Sequence, residues 1–180
     1  FLVALQGFAN EKDFEGMLEY LEKCIVIIDN QTPEIYANNL AVNAVLGYYK
    51  QMAEKEEIEV KFIVELEDET NVTDTDMCII LGNLLENAYE ACARQKEGKR
   101  HITANLRQTG GTLVIIVENS YTGTVRKKDG VFLSSKQKMR KGIGITSVID
   151  VTKKYHGISK FEYDGRRFKV SLLLGSGSDK

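Results

Sequence analysis

The segment Leu81-Gly-Asn-Leu-Leu-Glu-Asn-Ala-Tyr-Glu-Ala91 constrains this chain more than any other. Met77, Leu81, Leu84, Leu85, Ala88 and Cys92 recur at helical spacing and form one apolar face, with Asn83, Glu86, Asn87 and Glu90 on a narrow opposite face. An ordinary wet helix face carries Lys and Glu. Asn is a poor helix former because its amide competes for backbone hydrogen bonds, so two of them one turn apart need a reason. Either the face is merely solvated, or its amide carbonyls hold a hard cation together with phosphate oxygens.

A second element, Arg140-Lys-Gly-Ile-Gly-Ile-Thr-Ser-Val148, weighs towards the site. Gly142 and Gly144 flank Ile143 and precede an apolar-periodic run with Ile145, Val148, Ile149 and Val151. The pattern predicts a helix whose N-terminus is stripped of side chains, where bare N–H groups and the positive end of the helix dipole meet an anion. The plain alternative is a flexible loop before a helix. A third element, Thr112 to Ser120, is an apolar run ending in polar residues and predicts a buried strand.

These three elements, in this order, resemble the GHKL ATPase superfamily and, within it, sensor histidine kinases. The first looks like the N box and the second like the G2 box. Asn87 matches the metal-binding Asn of the N box. Asn83 matches the position that is Glu in gyrase-like members and Asn in kinases. Asn119 stands where the G1 box usually has an Asp that reads the adenine amino group, and an amide carbonyl can also accept from an exocyclic amine. That departure is the form seen in peptide-sensing, Agr-type quorum kinases. Phe132-Leu-Ser-Ser-Lys136 looks like the short lid before the G2 box.

The remaining pattern agrees with the fold this implies, a two-layer α/β sandwich (α+β) of the Bergerat type. Phe1 to Ala9 and Phe14 to Ile28 predict two helices, so residues 1–30 are expected to be a remnant of the dimerisation and phosphoacceptor hairpin. Residues 31–174 are then the ATP-binding domain, and 175–180 a disordered tail. Pro33, with Thr32 as cap, predicts a helix start, and the helix ends near Lys55. Ile58 to Glu65 predicts a strand, and Asp74 a cap for the N-box helix, which runs to about Gln95. Hairpins are expected around Thr109-Gly-Gly111 and around the two-residue turn signal Asp164-Gly165. The order predicts helices on one face of a mixed, largely antiparallel sheet. The late glycines fit neither a Rossmann unit nor a P-loop.

Composition removes several classes of function. A net charge of −2 offers no basic field for nucleic acid. Cys24, Cys78 and Cys92 have no metal-like spacing and read as buried thiols of a reducing compartment. No apolar run reaches the length of a membrane span and no signal peptide is visible. The chain begins at Phe1 rather than Met, and a fragment is expected.

The resemblance implies a cytoplasmic ATP-binding domain that touches the membrane only through an absent N-terminal region. Its cofactors are ATP and Mg²⁺, its partner is a cognate response regulator, and the full-length protein is a homodimer. Asn87 holds Mg²⁺, and Asn83 or Glu86 orients water or phosphate. Asn119 reads adenine. Gly142, Ile143 and Gly144 take the phosphates, with Lys136 and Lys141 closing over them. The phosphoacceptor His is expected upstream of Phe1, since neither His101 nor His156 is a credible acceptor. Two other readings stay open: another GHKL ATPase or Ser/Thr kinase, and a degenerate module that serves docking or dimerisation.

Overall fold

A computed structural model describes residues 34–122, 127–128, 131–132 and 143–175. The predicted helical hairpin in residues 1–30, the Thr32–Pro33 signal and the end of the tail lie outside these. In chain order the elements are α1 (Leu40–Lys55), β1 (Glu59–Glu65), α2 (Asp74–Ala93), β2 (His101–Thr109), β3 (Thr112–Ser120), β4 (Lys127–Lys128), β5 (Val131–Phe132), α3 (Ile143–Lys154), β6 (Ile158–Tyr163) and β7 (Arg167–Leu174). Five strands form one sheet in the order β1-β2-β3-β7-β6, and β4 pairs with β5 separately. β1 runs parallel to β2, and every other pair in the main sheet is antiparallel. This is the mixed, largely antiparallel sheet of the expected sandwich.

The sheet is two-sided because its strands alternate. Ile102, Ala104 and Leu106 of β2 lie opposite Asn119, Val117 and Ile115 of β3. Val117 and Ile115 in turn face Val170 and Leu172 of β7. All are buried, so one continuous face is closed to water. The cover is the apolar side of α2: Met77, Ile80, Leu81, Leu84, Leu85, Ala88 and Cys92 join the same core. Burying each large aliphatic side chain contributes about 1.5–3 kcal/mol. α1 adds Val42, Leu46 and Ala53, and α3 adds Val148 and Val151.

Local signals misplaced three boundaries. α1 starts at Leu40 rather than Pro33, because two Asn side chains hold the preceding segment out of the helix. Asn39 caps it by accepting from Val42 N at 2.8 Å, and Asn43 Oδ1 accepts from Tyr36 N and Ala37 N. The cap of α2 is Thr73 rather than Asp74: its hydroxyl accepts from Asp76 N and donates to Asp76 Oδ2 in a variant of the capping box. In the last hairpin the central pair is Gly165-Arg166, shifted by one from Asp164-Gly165. Gly165 takes a φ of +88° at the first central position, and the Asp164 carboxylate accepts from the N–H groups of Arg166 and Arg167. The other hairpin turns at Gly110 and Gly111, both at positive φ, as expected.

Asp76 ties the ends of two helices together. Its Oδ2 accepts from Thr73 Oγ1 at 2.9 Å, Lys154 Nζ at 2.7 Å and Tyr155 Oη at 2.6 Å. Thr73 N donates back to Tyr155 Oη at 3.1 Å. The first turn of α2 is thereby clamped to the C-terminal end of α3. Burial pushes the Asp76 carboxyl up, but the bonds from Lys154, Tyr155 and Thr73 outweigh it and hold the group below its ordinary value.

A carboxyl depressed on folding stabilises the protein above its unfolded pKa, and that stabilisation is lost as pH falls through the folded value. Asp76→Asn is expected to lower unfolding free energy near neutral pH by about 1–3 kcal/mol, read by urea denaturation. The gap between wild type and variant closes as pH falls below about 4.

Candidate functional site

The polar side of α2 is the face the sheet leaves free. Glu86 and Asn87 are exposed, and Asn83 and Glu90 are half-buried. Asn83 Nδ2 donates to Ile79 O at 2.7 Å, which fixes the amide on its own helix and sets the direction of Oδ1. Next to it stands the first turn of α3. A Cβ built on Gly144 would lie 2.7 Å from Asn83 Oδ1 and 3.5 Å from Asn87 Nδ2. A Cβ there would have to push the Asn83 amide off its bond to Ile79 O, so the close approach favours glycine.

The start of α3 therefore brings backbone N–H groups of a helix N-terminus and the positive end of a dipole to the Asn83–Asn87 edge. The Asp76 clamp holds the opposite end of α3. The structure brings Asn83, Asn87, Gly144 and the backbone of Ile143 into one place. Lys136, Lys141 and Gly142 lie outside the described residues.

α1 flanks the same face. Burial and the nearby charges of Glu86, Tyr48 and Glu90 push the Tyr49 hydroxyl up to about 12. Glu86 thus lies beside a neutral phenol, a neighbour that the sequence pattern did not point to.

Asn119 sits at the end of β3 on the helix-facing side and is 3% exposed. Its Nδ2 donates to Ser120 O at 2.8 Å, and among the described residues no group engages Oδ1. Tyr121, also missed by sequence reasoning, pins the strand end to the last hairpin. Its N–H donates to Arg166 O, and its hydroxyl accepts from Gly165 N.

Among the described residues no group of three or more His, Cys, Asp or Glu is arranged to hold a metal ion. A hard cation here would take the Asn87 carbonyl as one ligand and oxygens of a bound phosphate as others. An exposed amide beside a bare helix N-terminus fits that donor set. Among the described residues no activated nucleophile stands on this face.

Residues 72–175 match the family model of the GHKL domain, from the approach to α2 to just past β7. The chain belongs to the GHKL family. The GHKL domain has the fold of histidine kinase catalytic domains. The nucleotide-free catalytic domain of histidine kinase ThkA superposes with a TM-score of 0.57 at 17% identity, covering 76% of this chain and 90% of that one. The mycobacterial sensor histidine kinase MprB gives 0.56 at 14% identity, covering 74% and 92%. Full-length ShkA, in complex with AMPPNP, gives 0.54 at 16% identity, covering 74% of this chain and 29% of that chain. No curated protein matches by sequence. Among the described residues no helix is long and apolar enough to cross a membrane.

Filling the gap at Gly144 tests the close approach. Gly144→Ala is expected to cost about 1–3 kcal/mol by overpacking against the Asn83 amide, read by urea denaturation. Gly47→Ala is the control: it lies inside α1 with nothing within 4 Å of a built Cβ, and is expected to be neutral or stabilising.

Proposed function

We propose that this GHKL domain is the ATP-binding catalytic domain of a bacterial two-component sensor histidine kinase, of the peptide-sensing Agr type. The observation that carries the reading is the packing of Gly144 backbone onto the Asn83 and Asn87 amides. It sets a helix N-terminus, which suits an anion, beside amide side chains whose carbonyls suit a hard cation. The resemblance of the three sequence elements and the AMPPNP complex of ShkA support the same ligand.

Asn87 would supply an oxygen to Mg²⁺, which neutralises charge on the phosphates when bound. Asn83, held by Ile79 O, keeps the Gly144 turn in place and orients water or phosphate with Glu86. The N–H groups of Ile143 and Gly144 receive phosphate oxygens, joined by Gly142, Lys136 and Lys141. Asn119 accepts from the adenine amine. Phosphoryl transfer is mainly positioning and charge stabilisation, so a site without a nucleophile suits it. Asn at position 83 supplies no general base for hydrolysis, which favours transfer over ATPase action.

The acceptor in this reading is a His preceding Phe1, in a homodimer that passes the phosphoryl group to a response regulator. The domain is cytoplasmic and belongs to a membrane-anchored receptor. His101 lies within β2, and His156 follows α3 at a φ of +50°; neither is on an exposed helix face.

Calorimetric titration with a non-hydrolysable ATP analogue is expected to show saturable binding that requires Mg²⁺. Asn87→Ala should weaken it at least about tenfold, about 1.4 kcal/mol. No binding by the folded protein would point to a docking module instead. With γ-labelled ATP, residues 1–180 alone are expected to acquire no stable label, whereas a chain extended through the upstream His acquires it. Stable label on the shorter chain would contradict the placement of the acceptor.

A further inference from the structure

The inner end of β3 carries a buried network around Asn119, of which the nucleotide reading uses only the amide oxygen. Cys92, on the apolar side of α2, places Sγ 3.4 Å from Ser120 O, 3.4 Å from His101 O and 3.5 Å from Ser120 Oγ. Ser120 Oγ accepts from His101 N at 3.1 Å. Ser120 O also receives Asn119 Nδ2 at 2.8 Å. Cys92, Asn119 and Ser120 are 0%, 3% and 4% exposed, so water does not compete for these groups. Burial pushes the Cys92 thiol up, which keeps the sulfur protonated and able to donate.

A primary amide has two unlike arms. With one N–H of Nδ2 committed to a buried carbonyl, the Asn119 amide cannot exchange its two ends, and its oxygen keeps one fixed place. An exposed Asn could turn and put its NH₂ where its oxygen was, whereas a locked one keeps the oxygen in place to accept from an amine.

We propose that Cys92 and Ser120 are positioning residues that lock the Asn119 amide, making it a one-way reader of an exocyclic amine and setting preference for adenine over guanine nucleotides. This rests on the nucleotide-site reading above. The lock also explains how an Asn can serve where an Asp would be orientation-free. An Asp here would set a second acceptor 2.8 Å from the Ser120 carbonyl.

The test is titration of non-hydrolysable ATP and GTP analogues with Mg²⁺, with melting curves to confirm folding. Wild type should prefer the adenine analogue at least about tenfold, or about 1.4 kcal/mol. Cys92→Ala should shrink that ratio severalfold by raising guanine affinity, whereas Cys92→Ser, which keeps a donor, should hold it within about twofold. Ser120→Ala should shift the ratio in the same direction if Cys92→Ala does not fold, and Asn119→Asp should weaken the adenine analogue. A purely structural role for Cys92 would weaken both analogues equally; an unchanged ratio in the folded variants overturns the lock and leaves the nucleotide site standing. Failure of wild type to bind either analogue overturns both.

Discussion

One helix serves two incompatible surfaces, and the rest of the molecule is arranged around that division. Met77, Ile80, Leu81, Leu84, Leu85, Ala88 and Cys92 of α2 seal the sheet, so its rotation is set by a core that tolerates little change. Because side chains on a helix turn together, the same packing decides where Asn83 and Asn87 point. The Asp76 clamp then holds α3 against α2, and the missing Cβ of Gly144 lets the two helices meet edge to edge. Apolar burial thus positions polar groups that make little contribution to stability themselves.

That division was legible in the sequence wherever period alone decides it. The helical spacing of Leu81, Leu84, Leu85 and Ala88 against Asn83, Glu86 and Asn87 predicted both faces of α2. Partial alternation from Ile58 to Glu65 predicted β1, the apolar run from Thr112 to Ser120 predicted β3, and Gly110-Gly111 predicted the first hairpin. Boundaries set by side-chain capping were less legible. Pro33 is a strong start signal, yet the Asn39 cap and the reach of Asn43 back to Tyr36 and Ala37 decide where α1 begins. Thr73 outcompetes Asp74 because it alone reaches Asp76, which is also bonded from α3.

Long-range contacts were not legible. Nothing local says that β1 lies parallel beside β2, that Tyr155 reaches the first turn of α2, or that the Cys92 thiol meets the Ser120 carbonyl. These contacts join residues 28 to 82 positions apart, and each depends on the register of elements that must first be placed. Asn119 shows the consequence. Sequence marks it as a polar residue at a strand end, while the structure shows its amide already fixed by a bond from Nδ2 to the Ser120 carbonyl.

Membership of the GHKL family and the kinase-like fold leave the chemistry to the site, since one fold hosts many reactions. The central claim is that Asn119, Asn87 and Gly144 grip one nucleotide along α2. A crystal structure of the domain with Mg²⁺ and a non-hydrolysable ATP analogue tests it most directly. The account predicts the adenine amine at Asn119 Oδ1, the cation at Asn87 Oδ1 and phosphate oxygens at the first turn of α3. A nucleotide bound elsewhere, or with its base turned away from Asn119, would contradict it.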